Sequence, residues 1–437
     1  MNLEAPEKKQ SVFKKHSLLR FITAGSVDDG KSTLIGRLLF DSKNIFIDQL
    51  DAVSRTKYKR VMSGHNIDLS LLTDGLESER EQGITIDVAY RYFNTPKRKF
   101  IIADTPGHEQ YTRNMITGAS TADAVIILID ASKIKFNPSV NLLTQTKRHS
   151  IIAHLLRIKH IIIAVNKMDL INYNQIFYKR IVYAYKKFAE DIHFQNINTI
   201  PISALNGDNI ISASNNMLWY NGPTLISLLE SLNTNEKIDK KPLRFPVQLV
   251  ARHCGHISKD FRSYMGRIES GIIKKNDCLI VEPSGKKATI KDIQMLNKSL
   301  DMAITGQSVT LIIKEYLDIS RGNMLVSPFK RPVLLRSINA NLCWLSEESL
   351  DLRRKYLLKH STNQILSRIL KINALLNINT QKWCPPKLLD LNDIGCVTIN
   401  IYEPISVDSY DNIRSTGSFI LIDEITFQTV AAGMIIL

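Results

Sequence analysis

Short apolar runs alternate with stretches of helical periodicity through the first half of the chain. Residues 18–23, 87–93, 99–103, 124–130, 160–165 and 199–202 read as strands, and 33–40 continues the first of them as a helix. That alternation predicts a doubly wound, mainly parallel α/β sheet with helices on both faces, whose ligands sit at the carboxyl ends of the strands. From about residue 244 the period shortens. Runs at 247–251, 264–269, 278–281 and 309–313 are broken by Gly271, Pro283-Ser284-Gly285 and Gly306, which predicts a small antiparallel β-barrel. After the break SPFKRP at 327–332, further runs at 334–344, 364–372, 395–401, 418–423 and 429–434 predict a second one. The expected organisation is a polar arm (1–17), an α/β domain (18–232), the charged linker NTNEKIDKKP within 233–243, and two β-barrel domains (244–328 and 329–437).

Four strand ends carry chemistry. The first runs into GSVDDGKS, residues 25–32, with the spacing G-x-x-x-x-G-K-[ST] between a strand and a helix. Glycines let backbone N–H groups turn toward a polyphosphate, and the helix N-terminus adds its dipole. Lys31 would reach the β- and γ-phosphates and Ser32 would sit on Mg²⁺. The strand at 99–103 ends in Asp104-Thr105-Pro106-Gly107, a carboxylate for the metal shell and a glycine N–H for a γ-phosphate. The strand at 160–165 ends in Asn166-Lys167-Met168-Asp169, where the Asp169 carboxylate can accept from N1–H and the 2-amino group of guanine, donors that adenine lacks. The last ends in Ser203-Ala204-Leu205, a backbone contact for guanine O6. Four such motifs in this order predict a GTPase using GTP and Mg²⁺.

Composition narrows the picture further. No apolar run among the 437 residues reaches the 18 or so needed to span a bilayer, and the opening MNLEAPEKKQ is charged where a signal peptide would be apolar. A cytoplasmic protein without membrane contact is expected. Cys254, Cys278, Cys343, Cys384 and Cys396 are scattered without C-x-x-C spacing and read as reduced packing thiols. His253, Cys254 and His256 read as a solvated loop and not as a metal site. The formal charge of +15 could be the footprint of a nucleic acid, but lysines are spread through all regions without an aromatic-interleaved stripe. Compositional drift in a chain rich in Lys, Ile and Asn is the preferred reading, and a nucleic-acid partner is not expected. The two β modules show no catalytic constellation, and their expected work is holding a partner.

The phrases GSVDDGKSTLIGRLLFDS, DGLESEREQGITIDVAYRYF, DTPGHEQYTRNMITGAS and NKMDL resemble the translation-factor class of GTPases, a G domain followed by two β-barrels. Within that class the chain is most similar to the GTP-hydrolysing large subunits of bacterial assimilatory ATP sulfurylases, with RSTGSFILID at 414–423 among the matching phrases. The resemblance implies that Gly25, Ser26, Val27, Asp28, Asp29, Gly30, Lys31, Ser32 and Thr33 form the phosphate loop. It implies Thr85 as the switch-one threonine on Mg²⁺, together with Ser32 and Asp104. It makes Asp104, Thr105, Pro106 and Gly107 the switch-two motif, and His108 the residue that positions the attacking water. Val27 and Ile84 match the apolar pair that fences His108 from that water, while Asn166, Lys167, Met168 and Asp169 with Ser203 and Ala204 match the guanine pocket. It also implies a partner: a smaller adenylyl-transferring subunit that handles ATP and sulfate, in a heterodimer where GTP hydrolysis drives formation of adenosine 5′-phosphosulfate. No kinase extension is expected after residue 437. The loop text at 252–259 departs from the family pattern. The rival reading is a translational GTPase carrying tRNA or another RNA, and a rate stimulated by the ribosome, not by a small subunit with ATP and sulfate, would favour it.

Overall fold

The computed structural model describes residues 17–42, 79, 85–134, 140–192, 194, 197–233, 241–255, 258–296, 298–378, 380–386 and 388–437. It divides into two compact units, Met1–Thr234 and Asn235–Leu437.

The first unit is built on a six-stranded sheet: β1 (Ser17–Ala24), β2 (Ala89–Asn94), β3 (Arg98–Asp104), β4 (Ala124–Asp130), β5 (His160–Asn166) and β6 (Ile197–Pro201), in the order β2-β3-β1-β4-β5-β6. All neighbours are parallel except the edge pair β2–β3. β4, sequence AVIILID, is buried at every position, as a central strand covered on both faces must be. The edge strand β2 instead alternates, with Tyr90 and Tyr92 exposed and Phe93 buried. Phe93 stacks on Phe100 at 4.6 Å between ring centroids, and Phe21 meets both edge-on. The helices are α1 (Lys31–Asp41), α2 (Thr112–Ser120), α3 (Thr144–Leu155), α4 (Gln175–Asp191) and α5 (Leu225–Ser231). α1 buries Leu34, Ile35, Leu38 and Leu39 against the sheet. The Asn174 carboxamide starts α4 by accepting from the Ile176 and Phe177 amides.

In the second unit, β7 (Arg244–Gly255), β8 (Ser258–Arg267), β9 (Ile272–Lys274), β10 (Cys278–Glu282), β11 (Lys286–Met295), β12 (Lys298–Leu300), β13 (Met302–Ile304), β14 (Ser308–Ile313) and β15 (Met324–Val326) form the first barrel. Its ring runs β10-β15-β7-β8-β14-β11 and closes through β10–β11, which leaves no open edge in the ring. The second barrel comprises β16 (Val333–Trp344), β17 (Tyr356–His360), β18 (Asn363–Leu376), β19 (Trp383–Cys384), β20 (Ile394–Val407), β21 (Ser418–Asp423) and β22 (Thr429–Ile436). It closes through β17–β18 around Trp344, Tyr356, Ile399 and Leu421. The barrels are tied by a buried ion pair in which the Arg244 guanidinium donates from Nε and Nη2 to both Asp408 oxygens at 2.8 Å. Fork-to-carboxylate geometry of this kind fixes orientation as well as attraction.

The strands missing from the sequence reading are β9, β11, β12, β13, β15, β17 and β19. Most are two or three residues long, below the length at which alternation can be read, and β11 carries three lysines, Lys286, Lys287 and Lys291, among its apolar positions, which blurs the alternation. Of the expectations above, Ile84, His256 and the arm up to residue 16 lie outside the described residues, as do the side chains of His253 and Cys254.

Candidate active site

The four strand-end motifs converge at the carboxyl edge of the parallel sheet. Between β1 and α1 the loop turns through the left-handed region at Asp28 (φ 64°) and Gly30 (φ 91°). At Gly30 a side chain would run into the Asn166 carboxamide, so both the conformation and the space require glycine. Lys31 is buried, and its ammonium donates to the Ser26 carbonyl at 2.8 Å and the Gly25 carbonyl at 3.3 Å. Burial holds it below the usual lysine range, opposed by the nearby Asp29, Asp104 and Asp28 carboxylates. A polyphosphate placed over the loop would relieve that penalty. Asp29 turns its side chain back into the loop, accepting from the Ser26 amide at 2.6 Å, and burial pushes its pKa up to about 6.

The Ser32 and Thr85 hydroxyl oxygens lie 3.5 Å apart, and buried Asp104, at the end of β3, accepts from Thr23 Oγ1 at 3.5 Å. Two hydroxyls and a carboxylate are hard oxygen donors that suit Mg²⁺, which keeps waters and substrate phosphate as its remaining ligands. Thr105 anchors the motif by donating to the Thr23 carbonyl at 2.6 Å. Pro106 and Gly107 are buried, and a side chain at Gly107 would collide with the Lys31 ammonium. His108 follows, exposed, its Nδ1 accepting weakly from the Gln110 amide at 3.4 Å. Thr33 lies in the first turn of α1, half-buried.

On the guanine side, Asn166 braces two motifs at once. Its Nδ2 donates to the Asp29 carbonyl at 2.8 Å and its Oδ1 accepts from the Ala204 amide at 2.9 Å. Lys167 pairs with Asp130 at 2.8 Å, Met168 is fully buried, and Ser203 Oγ caps the following turn by accepting from the Asn206 amide. Asp169 Oδ1 is shielded from solvent and has no partner. A shielded carboxylate oxygen without a donor is costly, and it fits a site whose missing donor arrives with the base.

Several residues at this site escaped the sequence reading. The Arg37 side chain on α1 donates to the carbonyls of Ala204, at 3.3 Å, and Leu205. Glu79 Oε1 accepts from the amides of Ile86 and Asp87 at 2.9 and 3.3 Å, just after Thr85. Lys133 donates to the Val27 carbonyl at 2.9 Å. His149 on α3 is buried and its Nδ1 accepts from the Gly25 amide at 3.1 Å, which requires a neutral ring. Burial, with help from the Lys31 and Arg148 charges, depresses its pKa to about 3.

That depression makes a prediction. Below the ordinary value of 6.5 the unfolded chain binds a proton at His149 that the folded chain refuses, so stability falls as pH drops through the interval from 6.5 toward 3. Between pH 6.5 and 5 the loss is about 2 kcal/mol. His149→Gln keeps an acceptor for Gly25 but cannot titrate. Urea unfolding of the nucleotide-binding domain should therefore weaken less on acidification in the variant than in the parent. Parallel pH profiles would rule His149 out as the group responsible.

The geometry and fold together define a GTP-binding domain of the elongation factor Tu type. The family model described as the elongation factor Tu GTP binding domain matches residues 16–238, that of elongation factor Tu domain 2 matches 263–326, and that of the GTP-eEF1A C-terminal domain-like family matches 337–436. The same fold is seen in the S. cerevisiae Ski7 GTPase-like domain bound to GTP, at 19% identity and a TM-score of 0.52 over 96% of this chain and 98% of that one. Sulfate adenylyltransferase subunit 1 of Aeromonas hydrophila subsp. hydrophila is 48% identical over 420 residues, 96% of this chain and 86% of that protein. The bifunctional enzyme NodQ of Rhizobium sp. (strain N33) is 50% identical over 422 residues, 97% of this chain, which spans 64% of NodQ's length. This chain belongs to the sulfate adenylyltransferase subunit 1 family.

Proposed function

We propose that this chain is the GTP-hydrolysing subunit of a heteromeric sulfate adenylyltransferase, in which GTP hydrolysis drives formation of adenosine 5′-phosphosulfate and pyrophosphate from ATP and sulfate. The observation that carries the reading is the convergence of Lys31, Asp104, Asn166 and Ala204 on one carboxyl edge, in a chain 48% identical to a protein named sulfate adenylyltransferase subunit 1. A phosphate–sulfate anhydride stores more free energy than the bond broken in ATP to make it, so the reaction needs a second source of driving force. GTP and Mg²⁺ are the substrate and metal of this site.

In this reading residues 18–232 are the catalytic domain, and the two barrels, 244–328 and 329–437, hold a smaller adenylyl-transferring subunit in the cytoplasm. Gly25 to Thr33 enclose the phosphates, and the buried Lys31 charge stands ready against the β- and γ-phosphates. Ser32, Thr85 and Asp104 would hold Mg²⁺, which supplies neutralisation of phosphate charge. Gly107 offers its N–H to the γ-phosphate, and His108 orients the attacking water once Val27 and Ile84 part. Asn166, Lys167, Met168 and Asp169, with Ser203 and Ala204, select guanine. No specific observation favours an RNA-carrying role over this one.

The chain alone should hydrolyse GTP slowly and make no adenosine 5′-phosphosulfate. Mixed with its small subunit, ATP, sulfate and Mg²⁺, it should gain GTPase rate, because a partner that favours the hydrolysis-competent state shifts the population toward it. Product should then exceed the level reached without GTP, and Lys31→Ala or Asp104→Ala should remove that surplus. Equal product with GTP and with a non-hydrolysable analogue would overturn the coupling.

A further inference from the structure

Shielded polar atoms without partners are few in folded proteins, and each marks strain, a bound water or an absent guest. Among the described residues they gather at the nucleotide site, in Asp29 and Asp169, and again within the barrel unit, at Ser270 Oγ, His360 Nδ1, Ser361 Oγ and Thr362 Oγ1. Ser361 and Thr362 line a cavity of about 110 Å³ between the barrels, together with Gln248, Arg267, Glu269 and Ser415. We propose that this cavity binds a small zwitterion of the α-amino acid class, with Arg267 taking its carboxylate, Glu269 its ammonium, and the hydroxyls of Ser361 and Thr362 its remaining polar edges.

The first barrel supplies the charges. Arg267 ends β8 and Glu269 follows two residues on in extended chain, while Ile268 between them is fully buried in the barrel core. Alternation therefore puts Arg267 and Glu269 on the same outward side. Arg267 is exposed at the mouth and Glu269 is half-buried, and neither is ion-paired among the described residues.

The second barrel supplies the hydroxyls, on the two-residue tip between β17 and β18, where Ser361 adopts φ 50°. That tip is held from both sides. His360 Nε2 donates to the Thr416 carbonyl at 2.8 Å, and Asn363 Nδ2 donates to the Gly322 carbonyl of the first barrel at 3.0 Å. The wall is thus ordered before any guest arrives, which lowers the entropy cost of binding.

Charge decides the ligand class. An oxyanion would satisfy Arg267 and the hydroxyls but face the Glu269 carboxylate, and a simple cation would face Arg267. A molecule with both charges satisfies both walls. The volume of about 110 Å³ is on the scale of a small amino acid such as alanine or serine.

The test uses the full chain, with thermal shift and calorimetry against glycine, L-alanine and L-serine, and against propionate, ethylamine, sulfate and phosphate as single-charge controls. A saturable rise in melting temperature with the zwitterions only is expected. Glu269→Gln and Arg267→Met should each weaken zwitterion binding by at least about tenfold, with Glu269→Gln gaining a response to sulfate. Thr362→Val should lower affinity several-fold while leaving the unliganded protein as stable or more so, since it deletes a shielded hydroxyl without a partner. Unchanged affinity for a fluorescent GTP analogue in each variant checks the fold. The proposal is independent of the GTPase reading. No saturable zwitterion response would mean the cavity holds ordered water only, and an equal response to sulfate or phosphate in the unaltered protein would mean an adventitious anion only; either result overturns it.

Discussion

His108→Ala should lower GTP turnover by about two to four orders of magnitude while leaving GTP affinity within a few-fold. The expectation rests on position. His108 is exposed and directly follows the buried Asp104-Thr105-Pro106-Gly107, whose glycine sits against Lys31, and the proposed role would put its ring at the γ-phosphate and outside the contacts that hold the nucleotide. The Gln110 amide engages Nδ1, which leaves Nε2 for a water. Lys31→Ala is the contrasting variant. It removes a buried charge facing the phosphates and should damage affinity first. Single-turnover hydrolysis together with equilibrium binding of a fluorescent GTP analogue separates the two effects. A His108 variant that loses affinity as much as rate would show that the residue binds nucleotide and does not position water.

Asp169→Asn should weaken GTP by about a hundred- to a thousandfold and make xanthosine triphosphate the better ligand. In the present structure Asp169 Oδ1 is shielded and without a donor. Two charge-assisted hydrogen bonds from guanine would satisfy the carboxylate, each contributing about 1.5–3 kcal/mol. An asparagine amide presents one acceptor and one donor, so its NH₂ opposes a guanine donor but matches the 2-oxo group of xanthine. Competition binding with both nucleotides measures the exchange directly. An unchanged preference in the variant would remove Asp169 from the base pocket and with it the assignment of Asn166 to Asp169 as the guanine motif.

The strand-end motifs were legible in the sequence because each is local chemistry. A turn that must pass through φ 64° and 91° needs Asp28 and Gly30 where they stand, and a carboxylate that ends a strand, such as Asp104, is already aimed at the edge where ligands bind. The alternation of the long strands declared the barrels for the same reason, since a strand with one wet face must repeat every second residue. Where the apolar face shrank to two or three residues, as in β9, β12, β13 and β15, there was too little repeat to read.

What only the tertiary structure decided is which distant polar groups satisfy one another. His149 is 124 residues from the glycine whose amide it accepts, Arg37 is 167 from the Ala204 carbonyl, and Arg244 is 164 from Asp408. In the sequence, His149 is one residue in a helical stretch and Arg244 one more positive charge in a basic chain. Burial gives each of them its role, because a charged or polar group removed from water must find a partner, and packing alone determines which group that is. The cavity between the barrels follows the same rule: two charges from the end of one strand meet two hydroxyls from a hairpin 90 or so residues later, and no local pattern announces that meeting.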